Sequence, residues 1–463
     1  MYRDQLGLAI TRENATAIVA ALEQLYARDG YSRPELQLDE KLADRGILRI
    51  DVYEPQITRV ALKGNVGPYG TRLQDLTAQL RESQPVKRAD VQRTLQSMRE
   101  LPGLTITAAT HRDEARRNAF AMDIEAQYKP VDGVVRLTNR GTEEVGPQFL
   151  TGQLATNSFL GRGEKLGVLF ASAVDVEEYH GGGLFADVPV GDDGLHIFTM
   201  AFASASNPTE AGADLNDDYS RERFTMRVSR PVHATNRLNL SLGGSLDFDN
   251  LGIDRDGARL REDRLRCVEI GGRISWRGSD ATQYLATLDV RKGLNGFGSE
   301  LFAPDLTDDP RRKDFVLARL QLVRLTRLND KWSVRADALA QQSSYVLPYS
   351  ERFKIGGERI GRGFEVTEVA GDQGAGAKLE LRRELTPATK WLGKTSAYGF
   401  YDIGAVWTQD APRDHESVAT AGFGVSMAGE RLNGYLELAK PLTHPDVEGR
   451  SSATIFAELS CKL

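Results

Sequence analysis

Two short glycine-bounded segments carry the residue types with the clearest chemical potential. One is Ile360-Gly361-Arg362-Gly363-Phe364, and the other is Gly399-Phe400-Tyr401-Asp402-Ile403-Gly404. A planar guanidinium and a carboxylate can make a charge-assisted, bidentate pair. Glycines on both sides of Arg362 would let its backbone pass close to another surface. In the second segment Tyr401, Ile403, Ala405 and Trp407 alternate with Tyr398, Phe400 and Asp402. In a strand, that places Asp402 on the face opposite the apolar set.

Other motifs point to no catalytic site. Gly161-x-Gly163-x-x-x-Gly167 misses the dinucleotide-binding spacing and leads into a strand-like segment. Gly424-x-Ser426-x-x-Gly429 has one residue too many for a nucleophile elbow. No P-loop occurs, so nothing suggests ATP. The six histidines are scattered and form no H-E-x-x-H pair, and the two cysteines, Cys267 and Cys461, cannot build a disulfide framework or a zinc site. The acidic stretch 214–218 reads as a solvated loop. We therefore expect neither an enzyme nor a bound cofactor or metal. The net charge of −6 also argues against a nucleic-acid partner.

The element that must hold Asp402 is legible from periodicity. Mean hydropathy is −0.39, and no apolar run approaches the ~18 residues of a membrane helix. A membrane β-barrel stays open, because its strands alternate and look polar on average. From about residue 131 the period is two, as in Leu238, Leu240, Leu242, Gly244, Leu246 and Phe248. Sixteen strands are expected, near 132–141, 147–157, 164–174, 179–188, 195–205, 219–230, 236–248, 264–276, 282–292, 313–325, 332–343, 375–386, 395–407, 417–429, 431–440 and 451–463. The number is even, and the typical length is near the roughly 9–11 residues of a tilted membrane-crossing strand.

Connections after even-numbered strands are short, at 158–163, 189–194, 231–235, 277–281 and 326–331. Several after odd-numbered strands are long, at 206–218, 251–263, 293–312 and 344–374. Outer-membrane barrels have short periplasmic turns and longer outside loops, so both chain ends are expected in the periplasm. One parity is apolar (Phe224, Met226 and Val228; Leu288 and Val290), and the other is charged. Arg227, Arg273, Asp289, Arg335 and Glu380 should therefore line a water-filled lumen. Cys267 shares that parity, whereas Cys461 takes the lipid parity with Leu459 and Leu463, so the two should not be bonded. The longest outer loop holds Arg362; folded inward, it would bring the guanidinium to Asp402.

The chain before the barrel reads as two α/β units, a partial one over 1–55 and a complete one over 56–130, with the barrel over 131–463. The first has a helix ending at Gly30 and two strands. The second reads β-α-α-β-β, with a helix over about 71–80 and another that Asp90 would cap. Val91, Leu95 and Met98 fall at i, i+4 and i+7 of that helix. A groove between helix 91–100 and strand 104–110, edged by Thr105 and Thr107, could hold an extended chain by strand addition; the competing reading makes Val91, Leu95 and Met98 core residues alone.

Taken together, these features resemble the two-partner-secretion transporters, the haemolysin and filamentous-haemagglutinin secretion/activation proteins. The resemblance rests on paired POTRA-like units, sixteen strands, the Arg362-Gly363-Phe364 motif, the strand containing Asp402 and the turn Asn157-Ser158-Phe159-Leu160-Gly161-Arg162-Gly163-Glu164. It implies a mainly β fold: a 16-stranded antiparallel transmembrane β-barrel preceded by POTRA-type α/β domains, the first apparently truncated. It also implies that Arg362, Gly363 and Phe364 lock onto the strand of Gly399, Asp402 and Gly404. The implied activity is export of an unfolded, β-helical secreted partner across the outer membrane, in contact with its lipid and without nucleotide hydrolysis. A barrel-assembly insertase of the same superfamily is the alternative, and a porin or an outer-membrane enzyme fits less well. The sequence departs from the family pattern in its first unit, which lacks the opening strand and helix, in its last residue, Leu463, where the family has an aromatic, and in two further respects. Gly361 stands where the family has Val or Ile, and the charged opening Met1-Tyr2-Arg3-Asp4 is neither a signal peptide nor a plug helix.

Overall fold

The computed structural model describes residues 7, 11–39, 45–82, 84–142, 145–191, 193–208, 217–235, 237–304, 306, 308–386, 393–410, 415–443 and 452–463. The opening tetrapeptide and most of the acidic stretch 214–218 lie outside them. Contacts divide the chain into two units, one of residues 1–130 with 157–163 and the other of 131–156 with 164–463.

The first unit begins with helix α1 (Arg12–Arg28), whose N-cap Thr11 accepts the Asn14 N–H through its hydroxyl at 3.2 Å. Strands β1 (Glu35–Asp39) and β2 (Arg49–Tyr53) follow as an antiparallel pair. Next come β3 (Gln56–Asn65), α2 (Gly70–Glu82), α3 (Arg88–Arg99), β4 (Leu104–Arg112) and β5 (Ala119–Tyr128). The sheet order is β3-β5-β4, with β3 parallel and β4 antiparallel to β5. Tyr69, Leu73, Leu80, Met98, Ile106 and Ile124 form its core. Asp90 is not the cap of α3. Lys87 occupies that position with extended backbone, and Asp90 sits in the first turn, where a carboxylate favours the positive end of the helix.

In the second unit the sixteen expected segments are all strands, and they close into an antiparallel barrel. They are β6 (Val131–Thr138), β7 (Phe149–Asn157), β8 (Lys165–Ala173), β9 (Tyr179–Val190), β10 (Leu195–Ser206), β11 (Asp217–Ala234), β12 (Leu238–Arg255), β13 (Ala258–Ser279) and β14 (Thr282–Gly293). After the short β15 (Glu300–Phe302) come β16 (Val316–Arg327) and β17 (Trp332–Ser343). Two further short strands, β18 (Phe353–Ile355) and β19 (Val369–Gly371), lie in the next connection. The barrel resumes with β20 (Gln373–Leu385), β21 (Lys394–Trp407), β22 (His415–Ala428), β23 (Leu432–Pro441) and β24 (Thr454–Lys462). Pairing of β24 with β6, Glu458 opposite Thr138 and Lys462 opposite Val134, completes the ring and leaves no open edge in lipid.

One outer connection differs from expectation. Residues 251–263 are not a loop, because β12 and β13 continue until Asp256 and Gly257 turn the chain with φ of 50° and 78°. Two successive positive φ values suit a two-residue hairpin turn, for which Asp-Gly is well adapted. The face assignment holds. Phe224, Leu288, Val290, Tyr401 and Ile403 are exposed on the outside, while Thr225, Asp247, Arg291, Asp337, Glu380 and Asp402 are buried on the inside. Cys267 is buried, Cys461 is exposed, and neither is in a disulfide.

Candidate functional site

The loop between β17 and β20 packs into the lumen. Its two limbs pair as β18 and β19, and its tip is tightened by hydrogen bonds from Gly356 N–H to Ile360 O (2.8 Å) and from Phe364 N–H to Gly361 O (2.9 Å). Gly361 has φ of 84°, a conformation that costs a β-branched residue heavily. A glycine there, with Ile360 taking the apolar contact one place earlier, is thus a consequence of the tip's geometry. Phe353, Ile355, Ile360, Phe364 and Val369 of the loop pack with Leu339, Val406 and Val418 of the wall.

Wall glycines admit this approach. A Cβ on Gly404 would stand 2.8 Å from the Ile355 side chain, and one on loop residue Gly363 would stand 3.0 Å from the backbone N of Pro441. Gly399, by contrast, is exposed on the outer parity, with Gly422 O as its nearest neighbour at 3.9 Å. It takes no part in seating the loop, because strand alternation turns it away from the lumen.

Arg362 and Asp402 meet at the centre of the site. The Arg362 Nε and Nη2 donate to the two Asp402 oxygens at 3.0 and 2.9 Å. The backbone N–H groups of Gly361 and Arg362 also donate to Asp402, each at 3.2 Å. Nη1 reaches Glu380 at 3.1 Å and Glu437 at 3.3 Å. The guanidinium lies 3.5 Å above the Phe400 ring, a cation–π contact in a site where Asp402 is 0% exposed.

Two more arginines close the network. Arg382 donates to Glu380 at 2.7 Å. Arg140, from the connection after β6, donates to Glu437, to Tyr435 Oη at 2.7 Å and to Arg362 O at 3.3 Å. Three buried carboxylates therefore face three guanidiniums, with the half-exposed Glu358 farther off, 3.7 Å from Arg140. The Tyr398 hydroxyl donates to Glu437 at 3.1 Å.

Periodicity could have found Glu437, a lone acid at lumen parity in the run Leu436-Glu437-Leu438. It could not have found Arg140, which lies outside any strand. Among the expected lumen residues, Glu380 belongs to this network and Arg335 pairs with Asp337 at 2.8 Å. Arg227, Arg273 and Asp289 share the inner parity away from Arg362.

The expected groove of the first unit needs correction. Met98 is fully buried, so it is core. Val91 and Leu95 are half-buried against that core. Thr105 and Thr107 are exposed on the face of β4 opposite Leu104 and Ile106, so they cannot share a groove with α3.

Residues 122–428 match the family model of the haemolysin secretion/activation protein ShlB/FhaC/HecB. The chain is similar to the outer membrane transporter CdiB of Dickeya dadantii, 21% identical over 472 residues that span 96% of this chain and 80% of that protein. The solved structure of CdiB from Escherichia coli is similar with a TM-score of 0.81 at 18% identity, covering 98% of this chain and 85% of the other. BamA from Haemophilus ducreyi lacking POTRA domains 1-3 is similar at 0.58 and 12% identity, covering 100% and 97%. At these identities the structures speak for the fold. The family match spans both Arg362 in the inward loop and Asp402 on β21, and the chain belongs to the haemolysin secretion/activation protein family, the outer-membrane transporters of two-partner secretion.

Proposed function

We propose that this transporter captures an unfolded, β-helical partner on the periplasmic side and passes it through the barrel without nucleotide hydrolysis, the inward loop acting as a plug released in each cycle. The observation that carries this reading is the seating of Arg362 on Asp402. The loop is seated in the barrel by apolar packing and fixed in register by charge pairs, which water and a passing chain can replace. The apolar outer band of the barrel, including Phe224, Leu288, Leu379 and Ile403, contacts lipid.

Capture uses the edge of β4. That strand is one of the two edges of the sheet order β3-β5-β4, and an edge offers a row of backbone donors and acceptors to an extended chain. Alternate side chains of the added strand would lie over Val91 and Leu95 on one face and beside Thr105 and Thr107 on the other. A photo-crosslinking residue at Thr107 should trap the partner's amino-terminal segment, and liposomes bearing the purified protein should import the unfolded partner with no nucleotide present. Import that depends on added nucleotide, or partner trapped equally well along β3, would refute this reading.

A further inference from the structure

The lock at Arg362 leaves the near limb of the loop unexplained, because the chain enters the lumen well before its tip. That limb carries Glu351, which is buried and lies just before β18. Both its carboxylate oxygens accept from Arg291 Nε at 3.1 Å, and Oε2 also accepts from Arg319 at 2.8 Å. The Glu351 carbonyl accepts from Gln341 at 2.9 Å and from Arg319 at 3.3 Å. Arg291 is itself held by Asp247 at 2.6 Å, and Asp247 accepts from the Thr225 hydroxyl at 2.6 Å. A loop acid is thus fixed by wall arginines on β14 and β16, whereas at the tip a loop arginine is fixed by wall acids on β20, β21 and β23.

We infer that Glu351 is a second anchor of the plug, of opposite polarity to the tip, so that the loop is held across the lumen at two separate arcs of the wall. This rests on the reading of the loop as the element that moves during transport. The two anchors share no residue, so each can open without the other. Release at Glu351 loosens the segment that precedes β18 while Arg362 stays seated, giving a partly open state. A cavity of about 400 Å³ beside Glu351, lined in part by Arg227, Lys354 and Arg359, leaves room for water to take over these contacts. Glu351 and Arg319 are positioning residues: they set where the loop sits and need not touch the partner.

Single-channel recording of the purified full chain in planar bilayers tests this without any partner, so its outcome is independent of the secretion reading. Glu351→Gln keeps the side chain's size and removes its charge, and Arg319→Gln removes one of its donors. Each should raise the open probability by on the order of tenfold or more. The double variant should exceed the stronger single one little, whereas Glu351→Gln combined with Arg362→Gln should multiply the two effects. Wild-type gating of Glu351→Gln, or independent effects of Glu351→Gln and Arg319→Gln, overturns the anchor. Heat-modifiable gel migration verifies that the barrel is folded. If Glu351→Gln fails that check, Arg319→Gln decides alone, since its side chain is 31% exposed and faces the lumen. Raised open probability then supports the anchor and unchanged gating removes it.

Discussion

Replacing Arg362 by alanine takes one guanidinium from a network of three carboxylates and three arginines. Asp402, Glu380 and Glu437 are then left with Arg140 and Arg382, one negative charge in excess in a site where Asp402 is 0% and Glu437 3% exposed. Breaking a buried pair from one side costs about 3–5 kcal/mol. Asp402→Ala fails differently. Arg362 keeps Glu380 at 3.1 Å and Glu437 at 3.3 Å, but the N–H groups of Gly361 and Arg362 lose their acceptor, at about 1–3 kcal/mol each. The double variant restores the balance, two acids against two arginines, so its cost should fall short of the sum by about 2–3 kcal/mol. At about 1.4 kcal/mol per decade, Arg362→Ala alone should shift the closed-to-open ratio of the loop by roughly two to three orders of magnitude. Open probability in bilayers and secretion of the partner in cells are the readouts, normalised to the level of folded barrel. Strictly additive effects, or wild-type gating of Arg362→Ala, would refute the lock.

Gly404→Val would set a side chain 2.8 Å from Ile355; overpacking of this kind costs about 1–3 kcal/mol, so the variant should gate more often than wild type even with Arg362 intact, while Gly399→Ala on the outer face should behave as wild type in the same recording. In the first unit the Thr58 hydroxyl donates to Asp113 at 2.6 Å and the Ala115 N–H donates at 3.1 Å, and these bonds, Thr58 first, hold the Asp113 carboxyl below its ordinary value. The sign follows: the contact stabilises the fold above the unfolded carboxyl's pKa and is lost as pH falls through the depressed one, so Thr58→Val should move the Asp113 titration upward, with the Ala115 N–H still holding part of the shift, read by NMR. A maleimide should label Cys267 only after denaturation, because Cys267 is packed among Leu265, Phe315, Leu317 and the loop's Leu347; a disulfide in non-reducing mass spectrometry would show that one strand is out of register.

The barrel was legible because its strands obey a period of two over long stretches, and the lumen was legible because charges cannot face lipid. Those two facts place Asp402, Glu380, Arg335 and Cys267 inward without any structure. Error entered where local chemistry outweighs periodicity. Asp256-Gly257 folds a long segment into a hairpin, and a lysine with extended backbone, not Asp90, begins α3. Alternation was also applied too loosely in β4: Leu104 and Ile106 face the helices, so Thr105 and Thr107 must face away. Arg140 and Glu351 could not be read at all. Arg140 lies in irregular backbone and Glu351 ends a single 3-10 turn; closure of the ring brings the first to Glu437, and the inward fold of the loop brings the second to Arg291.

If the loop is the plug proposed above, the make-up of its two anchors suits an element that has to leave. A buried ion network contributes little net stability compared with apolar packing of the same volume, yet it specifies register closely, since a displaced charge finds no partner. The apolar seat at Leu339, Val406 and Val418 supplies attraction without direction, and the charge pairs supply direction with little added attraction. Withdrawal exposes charged groups to an aqueous lumen that solvates them, so the barrier to leaving stays modest while the seated position stays unique. It also leaves the wall polarised, with Asp402, Glu380 and Glu437 on one arc and Arg291 and Arg319 on another. An extended chain crossing that lumen would meet both signs of charge beside the apolar seat of Leu339, Val406 and Val418.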